Sequence, residues 1–101
     1  MANINYKHFT IGVEEEYMVI DPISRELKSH EQKIVTEGQK IIRDKVKAEM
    51  HQAVVEVGTD ICQNIDEAYN DVYTLRQTIS GVAADLGFWM GASGTHPFSH
   101  W

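Results

Sequence analysis

Glu14, Glu15 and Glu16 follow one another in Gly12-Val13-Glu14-Glu15-Glu16-Tyr17-Met18-Val19-Ile20-Asp21, flanked by apolar, β-prone residues. Side chains alternate along a strand, so Glu14 and Glu16 share one face with Thr10, Gly12 and Met18. Phe9, Ile11, Val13, Tyr17 and Val19 share the other face, interrupted by Glu15. Two like charges roughly 7 Å apart repel, and the run holds no lysine or arginine to relieve them. A bound divalent cation would resolve that repulsion. A hard ion such as Mg²⁺ takes carboxylate oxygens at about 2.0–2.1 Å and keeps several waters. The competing reading is a solvated acidic face with nothing bound.

Glu56 weighs against the solvated face. It lies within Val54-Val55-Glu56-Val57, where a carboxylate among valines is costly unless it is paired or metal-bound. If both strands belong to one sheet, Glu14, Glu16 and Glu56 can converge; a salt bridge to an arginine is the alternative. Glu49 precedes Glu56 by seven positions, and in one regular strand that odd separation sets them on opposite faces. A bend or bulge near His51-Gln52 would be needed to bring them together.

Other candidates carry less. His96 and His100 are four apart, but Pro97 between them argues against a helical zinc pair. His96, after Gly94-Thr95 at a strand end, could hydrogen-bond a substrate, although a structural or surface role is the commoner one for such a histidine. Cys62 has no evident activating partner and reads as a small buried hydrophobe. Neither phosphate-loop pattern, GxxxxGK[ST] or GxGxxG, occurs, so a nucleotide site must use another scheme or lie outside this chain.

These residues need elements to position them. The 101 residues, 43% hydrophobic and 24% charged, suit one globular domain over 1–101 with no internal boundary. A formal charge of −6 argues against nucleic-acid binding, and the basic residues Lys40, Arg43, Lys45 and Lys47 read as a solvated helix end. One cysteine excludes an internal disulfide. Neither a signal-peptide pattern nor a stretch of membrane-spanning length occurs, so a cytoplasmic setting away from membranes is expected. The ending Phe98-Ser99-His100-Trp101 leads us to expect the first portion of a longer protein.

The pattern predicts a strand over 8–20, a turn at Asp21-Pro22, and a helix from Ser29 or His30 to about Lys45, weakened by Gly38. Residues 46–57 favour extended structure, with a clear strand over 53–57. A long helix follows, capped by Asn64 or Asp66 and ended by Gly87. Ile65, Ala68, Tyr69, Val72, Leu75, Ile79, Val82, Ala83 and Leu86 form its apolar face. A third strand runs from Phe88 to about Ser93. Helices packed on a sheet, an α+β or α/β layer, are expected, with strand directions left open.

Together these segments resemble the start of the bacterial glutamate–cysteine ligase family, in its carboxylate–amine ligase branch. The resemblance rests on Thr10-Ile11-Gly12-Val13-Glu14-Glu15-Glu16-Tyr17, on Ala53-Val54-Val55-Glu56-Val57-Gly58-Thr59-Asp60-Ile61-Cys62, and on Gly94-Thr95-His96-Pro97-Phe98. It implies an α+β chain forming the N-terminal part of a glutamine synthetase-like catalytic fold. It also implies ATP- and Mg²⁺-dependent amide formation through an acyl phosphate, with Mn²⁺ as a substitute ion. Carried over, Glu14, Glu16 and Glu56 are metal ligands, Glu49 joins them, Glu15 faces away, and Thr95 and His96 lie near the substrate. No residue is assigned a catalytic role, and the basic residues that hold phosphates are expected elsewhere. The implied substrates are a carboxylate, glutamate in the leading case, and an amine, cysteine in that case. A partial sheet should self-associate, and the 101 residues alone should be inactive. The alternative is a non-catalytic metal-binding or self-associating module.

Overall fold

A computed structural model describes residues 9–48 and 53–92. Among the described residues, four strands and two α-helices follow in the order β1 (Glu14–Ile20), α1 (Glu31–Ile42), β2 (Val46–Ala48), β3 (Val54–Gly58), α2 (Ile65–Asp85) and β4 (Trp89–Gly91). The sheet order is β2-β3-β1-β4 with every pairing antiparallel, which makes the class α+β. Both helices lie on one face of the sheet, and the apolar side chains of that face form the core. Tyr17 and Val19 of β1, Val46 of β2 and Val55 and Val57 of β3 pack there against Ile34, Val35, Leu75, Ile79, Val82 and Ala83.

The expected first strand is shorter than its hydrophobic pattern. Its regular part begins at Glu14, and Ile11 upstream makes only an isolated antiparallel bridge with Cys62. The expected extended run over 46–57 is a pair of strands, β2 pairing back antiparallel onto β3. The first helix stops at Ile42, where one turn of 3₁₀ helix (Arg43–Lys45) turns the chain into β2. Lys45 and Lys47 therefore stand at the entry to a strand, not on a solvated helix end. Their period-two spacing around the buried Val46 was the signal for that.

Gly38 has a packing reason to interrupt α1. A Cβ placed there would stand 2.7 Å from Ile79 Cδ1 and 3.2 Å from Val46 Cγ1, so glycine lets α1 approach α2 and β2 closely. The same helix begins with a buried acid, Glu31, whose Oε2 has no hydrogen-bond partner among the described residues. Its place in the first turn sets its charge against the positive end of the helix dipole.

The α2 boundaries follow the capping signals. The Asn64 side chain accepts a hydrogen bond from Glu67 N (2.9 Å), and Gly87 takes φ 89°, the left-handed conformation that suits glycine at a helix end. The expected apolar face is divided, however. Ala68, Leu75, Ile79, Val82 and Ala83 are buried, whereas Ile65 and Tyr69 are largely exposed, as is Tyr73 one turn on. Positions 65, 69 and 73 form a separate row that turns away from the sheet. Cys62 is buried, as its composition-level reading required, and its thiol donates to Asp60 O.

Candidate functional site

Antiparallel register puts the acids of β1 and β3 together. Glu16 lies directly across from Glu56, and Glu14 across from Gly58. Residues directly opposed in a ladder point to the same face, so Glu14, Glu16 and Glu56 share one face of the sheet. Glu15 opposes Val57 and shares the helix-covered face. Alternation alone thus divides the triple glutamate, two to the face opposite the helices, open among the described residues at Glu14 and Glu16 though buried at Met18 and Val54, and one to the core side.

Glu15 is held on that side by α2. Arg76 Nε donates to Glu15 Oε1 (2.7 Å), Arg76 Nη2 pairs with Oε2, and the Tyr17 hydroxyl donates to Oε1 (2.5 Å). The Arg76 bond, more than the Tyr17 bond, holds the Glu15 carboxyl below its ordinary value, while burial and the adjoining carboxylate push the Tyr17 phenol up. The arginine salt bridge offered as an alternative to metal is therefore real, but it serves Glu15. The spacing of Arg76 along the α2 surface gave no sequence cue, because its partner lies 61 positions away.

This pair yields a pH-dependent prediction. A lowered folded-state pKa contributes stability above the carboxyl's ordinary value of 4.5 that is lost as pH falls through the lower folded value. Because Arg76 is half exposed, Arg76→Gln should cost only about 0.5–1 kcal/mol at pH 7. Urea unfolding at pH 7 and at pH values below the folded pKa of Glu15 checks this: the wild-type advantage should shrink towards zero in acid. An advantage that stays constant across that range would mean the pair acts through packing instead.

The open face forms a cleft of about 240 Å³ lined by Glu14, Asp44, Lys45, Lys47, Glu56, Gly58, Thr59 and Asp60. Its walls are tied together on two sides. Val13 N donates to Thr59 Oγ1 (3.0 Å) and Thr59 N donates to Val13 O (2.9 Å), fixing the segment after β3 beside the start of β1. Lys45 Nζ lies 2.8 Å from Asp60 Oδ2 and 3.6 Å from Asp71 Oδ1, and Asp60 N donates to Asp71 Oδ2 (2.9 Å). The bond to Asp60 leads in raising the Lys45 pKa, so its charge is fixed and already committed. The lining carries four carboxylates and two lysines, with Asp60 and Lys45 paired to each other, so the cleft keeps a negative excess that favours a cation.

The donor set suits a hard ion that keeps part of its hydration. Among the described residues no three histidine, cysteine, aspartate or glutamate side chains are gathered as a metal group. Two carboxylates at one cleft, Glu14 and Glu56, match the way Mg²⁺ is usually held, by one or two carboxylates with waters and substrate oxygens completing its sphere. Glu16 shares their face without lining the cleft. Glu49, Thr95 and His96 lie outside the described residues. The parity objection to Glu49 assumed one strand carrying both it and Glu56, and the reversal between β2 and β3 removes it. Lys47, Lys45 and Asp60 were not among the expected site residues.

Comparison with known proteins places these elements in context. The family model described as glutamate-cysteine ligase family 2 matches residues 10–101. A protein of Herpetosiphon aurantiacus, provisionally named glutamate–cysteine ligase 2, is 53% identical over 93 residues, covering 92% of this chain and 24% of its own length. A Chloroflexus aurantiacus protein of the same provisional name is 48% identical over 93 residues with the same coverage. One from Sorangium cellulosum is 39% identical over 95 residues, covering 92% of this chain and 25% of its own length. The chain spans about a quarter of the length of these curated relatives.

Proposed function

This chain belongs to glutamate-cysteine ligase family 2, and from that membership we propose that its protein is an ATP- and Mg²⁺-dependent carboxylate–amine ligase, with glutamate and cysteine as the leading substrate pair. In the proposed reaction a carboxylate oxygen attacks the γ-phosphorus of ATP, forming an acyl phosphate and releasing ADP. The amine then attacks the acyl carbon, the C–O bond to phosphate breaks, and an amide and inorganic phosphate result. The observation that carries the reading is the antiparallel register, which sets Glu14, Glu16 and Glu56 on one sheet face beside a cleft.

Each residue has a defined task in this reading. Glu14 and Glu56 would hold Mg²⁺, which neutralises phosphate charge as the phosphoryl group moves. Glu16, directly across from Glu56, would add negative potential and bind through water or a second ion. The pairing of β1 with β3 at Glu14 and Glu16, and of β3 with both β1 and β2 at Glu56, keeps these carboxylates in place before any ligand arrives, so little ordering remains to be done on binding. Glu49 belongs to the proposed ligand set, and Thr95 and His96 to the substrate vicinity, on the family resemblance.

The non-catalytic module considered above finds no support in the comparisons. No described helix is long and apolar enough to cross a membrane. The reading is tested on the full-length protein by measuring ADP release with Mg²⁺ and ATP. Release should require a carboxylic acid and an amine together; equal release with either omitted would overturn it.

A further inference from the structure

Among the described residues, the cleft that gathers the carboxylates also holds one cation outside any ion pair, Lys47. Lys47 sits on the edge strand β2, directly across from Glu56, so it shares the open face with Glu14, Glu16 and Glu56. It lines the same cleft, and its side chain is exposed there. Lys45, two residues earlier, is bound to Asp60 and Asp71. Lys47 takes part in none of the ion pairs seen among the described residues. An ammonium placed beside metal-binding carboxylates is unfavourable for the bare metal, because it lowers the negative potential that attracts the ion. It becomes favourable when the ligand brings its own negative charge.

We infer that Lys47 is a phosphate-binding residue, its ammonium donating to a phosphoryl oxygen of the nucleotide while Glu14 and Glu56 hold the ion bound to that nucleotide. The inference rests on the ligase reading given above and adds to it the group that receives the anion. It also supplies, from within this chain, a basic residue of the kind that the family resemblance placed elsewhere. A lysine suits the place: it is a compact point charge on a flexible stem, able to follow a phosphoryl group as it moves. Its position on β2, anchored by Val46 in the core and by the Lys45 ion pairs, fixes where that stem starts.

The signature is a change of sign between two ligands. In the full-length protein, Lys47→Gln should weaken binding of Mg²⁺ with a non-hydrolysable ATP analogue by about tenfold, the equivalent of one charge-assisted hydrogen bond. The same substitution should leave Mn²⁺ binding without nucleotide unchanged or tighten it by about two- to threefold, since a repelling charge has gone. Lys47→Arg, which keeps the charge, should restore most of the nucleotide affinity. Titration calorimetry with both ligands and all three proteins reads this out, with circular dichroism confirming the fold. If wild type binds the Mg²⁺–analogue complex and Lys47→Gln binds it equally well, the inference fails and the ligase reading stands. If only the KM for the carboxylate substrate rises, Lys47 holds that carboxylate and the phosphate assignment is overturned. If wild type binds no nucleotide complex, both readings fall.

Discussion

Replacing Glu56 or Glu14 with glutamine should lower kcat of the full-length protein by at least about a thousandfold while leaving its circular dichroism and unfolding midpoint nearly unchanged. Glutamine keeps the size and removes the charge, so the substitution isolates the electrostatic contribution. In the proposed reaction the loss would fall on an ion that neutralises phosphoryl charge as it develops, which is worth several kcal/mol. Glu16→Gln should have a smaller effect, because Glu16 shares the face but does not line the cleft. Glu15→Gln is the control: its carboxylate is bound to Arg76 on the other side of the sheet. It should keep turnover within a few-fold of wild type. Steady-state ADP release with all four variants checks the set, and near-normal rates for both Glu14→Gln and Glu56→Gln would remove the metal assignment.

The largest effect on stability should come from the contact between the two helices. Ile79 is fully buried, and its Cδ1 occupies the space next to Gly38 that a side chain would otherwise take. Ile79→Ala removes buried methyl and methylene groups and leaves a cavity between α1, α2 and β2, at a cost of about 2–5 kcal/mol. Gly38→Ala alone forces its new methyl against Ile79 and Val46, and overpacking of this kind costs about 1–3 kcal/mol. Combined, the two should cost less than their sum, because the added methyl partly fills the space that Ile79 vacates. Urea unfolding of the wild type, both single variants and the double variant measures the coupling. Strict additivity would show that the two positions do not share that space.

Much of this was legible in the sequence because it depends on local rules. The alternation of β1 placed Glu14 and Glu16 together and set Glu15 apart, and the Asn64 and Gly87 signals bounded α2 to within a residue or two. What the sequence hid was set by chain reversal and by long-range partners. An extended run over 46–57 reads the same whether it is one strand or a strand pair, and only the pairing of β2 with β3 distinguishes them. That pairing also brought Lys47 opposite Glu56, turning an apparent helix-end charge into a site residue. Arg76 was equally hidden, since nothing near it in sequence indicates Glu15. On α2, Ile65 and Tyr69 fit the helical period yet turn away from the sheet, because the period fixes spacing and leaves open how far a partner surface extends.

In the proposed reaction a carboxylate is phosphorylated at this cleft before the amine attacks. Full-length protein should be given glutamate labelled with ¹⁸O in its γ-carboxylate, together with ATP, Mg²⁺ and cysteine, and the released phosphate examined by ³¹P NMR. An acyl phosphate pathway transfers one carboxylate oxygen to phosphate, so a labelled phosphate signal should grow in step with amide product. Amide formation accompanied only by unlabelled phosphate would contradict the claim.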